Sequence, residues 1–143
     1  MAENSNTTTP DLLVKAPPLS PHLQIYKPQV GSSILSILHR FTGMALSLGT
    51  ILLVVLLVAT SQGSGPYDAV QGFIGSFLGQ LMLLGWTWAL YFHLGAGIRH
   101  LAFDAGYGFA PKTATTTAWV VIVASVVLTF VTFFVAYAKV VME

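Results

Sequence analysis

The spacing of charge constrains this chain more than any other feature. Only 8% of its 143 residues are Asp, Glu, Lys or Arg, whereas ordinary soluble domains carry about 25%. The few charges are bunched: none falls between Arg40 and Asp68, between Asp68 and Arg99, or between Lys112 and Lys139. Each gap is apolar and long enough for a spanning helix, which needs roughly 20 residues. Only helices and closed barrels satisfy their own backbone polar groups in hydrocarbon, and 55% of the residues are hydrophobic. The expected fold is therefore an all-α membrane protein with three transmembrane helices.

The spans are expected at about 34–60, 72–103 and 117–138, together forming a transmembrane domain over residues 34–138. Residues 1–19 are polar and interrupted at Pro10, Pro17 and Pro18, which favours an extended lead-in. Residues 20–33 mix Pro21 and Pro28 with Leu23, Ile25 and Tyr26, as a segment lying at the membrane surface would. Residues 139–143 form a short tail. Ser61 to Val70, rich in Gly and Pro, reads as a short turn. Gly75 and Gly79 give the second span a small-residue spacing suited to helix packing, though a common one in apolar sequence. The third span, rich in Val, Thr and Phe, reads as scaffold. No internal repeat is visible, so an inverted-repeat transporter has no support.

Lys and Arg number three before the first span ends (Lys15, Lys27, Arg40), none in the first loop, two in the second (Arg99, Lys112) and one at the end (Lys139). The positive-inside rule then puts the N-terminus in the cytoplasm and the C-terminus outside. The first 29 residues contain neither an arginine nor an apolar run of signal-peptide length, which fits an unprocessed protein of the bacterial inner membrane. A net charge of +1 gives no basic patch for a nucleic acid. With no cysteine, the chain holds no disulfide, no thiolate-bound iron–sulfur cluster and no haem on a Cys-x-x-Cys-His motif.

Ionisable groups inside a span are costly and usually functional, though near helix ends they snorkel to the headgroups. Ser36, His39 and Arg40 share one helical face, which Gly43 and Ser47 continue with small side chains. His93 sits six residues before Arg99, roughly 9 Å deeper along the helix, too deep for an ordinary interfacial residue. Two readings stand: a metal or haem ligand, or a buried hydrogen-bonded histidine. His93, Gly97, His100 and Asp104 form one stripe, in which imidazole reaches an iron and glycine leaves room for a flat macrocycle. Arg40, His39, Arg99 and His100 gather at the same membrane edge, where propionates need cations or donors. His100 lies about 10 Å from His93 along the helix and cannot bind the opposite face of the same iron, so a second axial ligand has to come from another chain. Ser36 and Arg40, one turn apart, could together hold a quinone carbonyl; alternatively the serine bonds its own backbone.

Residues 20–43, SPHLQIYKPQVGSSILSILHRFTG, resemble the N-terminal signature of the succinate dehydrogenase cytochrome b subunit family. Residues 93–106, HLGAGIRHLAFDAG, are similar to that family's second signature. The resemblance implies a three-helix anchor within a heteromeric helix bundle, bound to a flavoprotein subunit, an iron–sulfur subunit and a second membrane anchor. It implies that His93 is an axial ligand of haem b, shared with that second anchor. It further implies that His39, Arg40 and His100 lie near the propionates and that Ser36 and Arg40 line a ubiquinone pocket, with FAD and the clusters held by the partners. Asp104 and Tyr107 match positions just past the second helix. Pro17 stands where an arginine often precedes the Pro-Leu-Ser-Pro-His stretch, so an arginine salt bridge from that point to a soluble partner is not expected. A fumarate reductase anchor, or a three-span structural or transport protein whose histidines belong to the core, remain as rivals.

Overall fold

The computed structural model describes residues 33–142. The expected lead-in over residues 1–19 and surface segment over 20–33 therefore lie outside the described residues, except Ser33. Four helices follow: α1 Leu35–Gln62, α2 Ser64–Gly75, α3 Phe77–Asp104 and α4 Pro111–Met142. Three of them, α1, α3 and α4, are long and apolar enough to cross a membrane. At about 1.5 Å per residue, each exceeds the roughly 30 Å of hydrocarbon. No strand occurs among the described residues.

α3 is the middle helix, packed on α1 at one side and on α4 at the other. The packed core is small: Leu35, Phe92, Ala96 and Ala118 are buried, with Leu38, Trp88, Val121 and Ile122 against them. Alanine and glycine bring the backbones close, as helix association in lipid requires. A Cβ on Gly49 would overlap the Trp86 indole. Large apolar side chains such as Phe41, Leu48, Leu90 and Phe134 stay exposed, as expected where the surroundings are lipid or neighbouring helices.

The region expected to be a turn is helical instead. α2 begins at Ser64 and tolerates Pro66 because a first helical turn has no need of that N–H. The second span is interrupted where none was expected: Ser76 is extended, at ψ 160°, and its hydroxyl accepts from the Gly79 N–H at 3.1 Å to start α3. Gly75 and Gly79 thus straddle a break rather than line a helix interface. A Cβ on Gly79 would strike the carbonyls of Phe73 and Ile74, so that glycine serves the bend. At its other end α3 stops in a Schellman motif. Gly106, at φ +88°, donates to the Phe103 carbonyl at 2.8 Å, and Tyr107 to that of Ala102 at 2.9 Å. α4 starts earlier than expected, with Pro111 as its first residue.

Candidate functional site

The helix faces singled out by sequence meet between α1 and α3. The His39 and His93 rings stack with centroids 4.0 Å apart, and His100 lies 5.2 Å beyond His39. Three imidazoles thus run in a row toward the α3 C-terminus. Gly43 lies directly against His93: a Cβ there would be 3.0 Å from Cε1. Beside Gly97, a Cβ would meet nothing within 4 Å, so the stripe flanking His93 is open.

His93 is held from one side. Its Nδ1 lies 3.1 Å from the His39 carbonyl and 3.3 Å from the Thr42 hydroxyl. That hydroxyl is 2.9 Å from both the Leu38 and the His39 carbonyl and gives its single proton to one of them. Toward Nδ1 it therefore presents a lone pair. With two acceptors against it, Nδ1 carries a proton, which in the neutral ring leaves the lone pair on Nε2. A metal-binding histidine is held in this way, its other ring N–H donated to a carbonyl. The site fits haem in three respects: a His93 ring held at Nδ1, open space beside Gly97, and a buried His39 Nε2 with no partner among the described residues, suited to a propionate.

The rim is only partly assembled. Arg40 is exposed, as is His100 at the end of the row, whereas Arg99 is buried. Only 9% accessible, Arg99 donates through Nε to Thr117 at 3.1 Å and through Nη2 to the Ala114 carbonyl at 3.0 Å, with its guanidinium 4.4 Å from the Phe103 ring centre. It ties α3 to α4 and also lines the cavity at Ser36 and His100. Ser36 is half-buried and lines a cavity of about 310 Å³ together with Ala96, Arg99, His100 and Phe103. Arg40 does not line that cavity, so the two quinone candidates share a helical face without sharing a wall. Ser47 donates to its own helix at the Gly43 carbonyl. Asp104 and Tyr107 are exposed beyond the row.

Thr42 escaped the sequence reading, although it stands three residues after His39. Threonine in a helix commonly bonds its own backbone and leaves no mark in sequence when it also serves a second helix.

Residues 14–132 match the family of succinate dehydrogenase/fumarate reductase transmembrane subunits. The chain is 42% identical to the succinate dehydrogenase cytochrome b556 subunit of Paracoccus denitrificans, over 84% of this chain and 92% of that one. Identity to the subunit of the same name from Rickettsia conorii is 41%, over 86% and 95%. The succinate dehydrogenase cytochrome b560 subunit of Reclinomonas americana is 33% identical, over 73% and 76%.

Proposed function

Because the chain belongs to the succinate dehydrogenase/fumarate reductase transmembrane subunit family, we propose that it anchors a flavoprotein and an iron–sulfur subunit to the bacterial inner membrane. Through His93 it shares one haem b with a second membrane anchor; Ser36 lines the place where ubiquinone is reduced, and Arg40 acts on it from the same helical face. Haem b, when bound, supplies a one-electron redox centre. The observation that carries the reading is the orientation of His93, whose proton sits on Nδ1 and whose Nε2 lone pair is left for a metal.

His39, Arg40 and His100 supply donors and charge for two propionates at the membrane edge. The Ser36 hydroxyl donates to one quinone carbonyl, and Arg40 offsets the negative charge that builds there on reduction. Succinate chemistry, flavin and clusters belong to the partner subunits, and the N-terminus faces the cytoplasm with them. The named relatives favour succinate oxidation over fumarate reduction.

The test is the absorbance spectrum of the purified complex with and without His93. A reduced b-type band is expected in the wild-type complex, and His93→Ala should abolish or severely perturb it while succinate-to-dye activity persists. The chain made without its companion should yield no six-coordinate haem. A normal bis-histidine spectrum from the isolated chain, or an intact band in His93→Ala, would sink the proposal. Orientation is checked separately: a reporter after Glu143 should be translocated, and one within residues 107–116 should not.

A further inference from the structure

The Thr42 side chain has two jobs at once, and only one of them concerns its own helix. It is 4% accessible, packed where α1 crosses α3. Its hydroxyl proton goes to a carbonyl of α1, and its remaining lone pair faces His93 across the seam at 3.3 Å. The Nδ1 proton is thereby shared between two acceptors, the His39 carbonyl and Thr42. Gly43, the next residue, sets how near the ring can come.

We propose that Thr42 is a positioning residue for His93: by accepting from Nδ1–H alongside the His39 carbonyl, it fixes the ring plane and raises the electron density that Nε2 offers. This rests on the reading of His93 as a metal ligand and goes beyond it, since it assigns the tuning of that ligand to a side chain of α1. The physical basis is that an acceptor on the distal N–H makes an imidazole a stronger donor at the other nitrogen. A stronger donor stabilises an oxidised metal more than a reduced one. Taking one of two acceptors away should therefore favour the reduced state.

The experiment uses the complete complex carrying Thr42→Val, which exchanges the hydroxyl for a methyl of similar size, and Thr42→Ser, which keeps it. Haem content, the haem midpoint by optical redox titration, and the electron paramagnetic resonance g-values are measured. Thr42→Val is expected to retain haem but to raise the reduced-to-oxidised ratio at fixed potential several-fold, tenfold being 59 mV for a one-electron couple. Thr42→Ser should restore the wild-type ratio. Wild-type ratio and g-values in Thr42→Val would overturn the proposal. So would a lowered haem content whose remaining haem keeps the wild-type midpoint, because that is the mark of packing alone.

Should Thr42→Val fail to assemble, Thr42→Ala, which removes the same hydroxyl without putting a methyl in its place, decides the matter: a raised reduced-to-oxidised ratio supports the role of Thr42, and a wild-type ratio with wild-type g-values overturns it. His93→Ala keeps the two failures apart. If that variant retains haem, the ligand reading itself falls. If it loses haem while Thr42→Val behaves as wild type, only the role given to Thr42 falls.

Discussion

Where α3 meets α4, polar groups close on one another. Arg99 reaches Thr117 and the Ala114 carbonyl, Tyr91 meets Thr132 at 2.8 Å, and Tyr137 donates to Gln80 at 2.9 Å, so partners are found from one end of the seam to the other. Where α3 meets α1, closure is incomplete. The two buried side-chain nitrogens without a partner among the described residues, His39 Nε2 and Trp86 Nε1, both lie on that side. A groove of about 580 Å³, walled by residues such as Leu48, Leu52, Trp86 and Ala89, runs alongside. In lipid a polar group without a partner is costly. The contrast therefore separates a seam whose polar groups are paired from one where two buried nitrogens find no partner among the described residues.

Substitutions can break this contrast. The largest stability effect is expected from Arg99→Leu, which removes the hydrogen bonds of a buried charged donor to Thr117 and to the Ala114 carbonyl, each worth about 1.5 to 3 kcal/mol. Thermal melting of the complex should fall markedly while the haem midpoint of the surviving complex stays put. An Arg99→Leu complex that melts as the wild type does would erase the distinction. Arg40→Leu should do the opposite. The side chain is exposed, so melting should hardly change, but losing a charged donor at about 1.5 to 3 kcal/mol predicts a roughly ten- to hundredfold drop in succinate-to-quinone activity. Succinate-to-dye activity on the same membranes should be preserved.

Two smaller effects sharpen the comparison. Ser36→Ala gives up one bond to a neutral carbonyl, about 0.5 to 1.5 kcal/mol or a several-fold slowing of quinone reduction, with the haem spectrum intact. Equal loss of quinone and dye activities would mean that Ser36 serves assembly. Smallest of all is Tyr91→Phe, which opens the contact with Thr132. Interhelical hydrogen bonds in membranes average about 0.6 kcal/mol, so a slight fall in melting temperature with both activities unchanged is the expected result.

Reading from sequence works where one helix carries its own message. Charge-free stretches announce three spans, and His93 stands out because a histidine at that depth is expensive. What escaped depends on pairs of elements. α2 hides behind Gly63, Gly65 and Pro66, whose turn-like composition is compatible with a helix that starts just there. The break at Ser76 is invisible because serine in an apolar run gives no sign of capping until its backbone is seen extended. Arg99 resembles any edge cation in sequence; only the position of α4 reveals that its donors point at Thr117 and Ala114. Thr42 was missed for the same reason, since its second partner is 51 residues away.

The niche at Gly43 also bears on timing. An imidazole hanging free from α3 would sample several rotamers, and freezing it at the moment of capture would cost about 0.5 to 1.5 kcal/mol. With the His39 carbonyl, Thr42 and the bare Gly43 backbone already around it, His93 loses that freedom when α1 and α3 first come together. The entropy is surrendered during folding, before any cofactor arrives. On the proposed reading of His93 as a ligand, capture is then a docking event on a ring already held in place, with no search by the side chain.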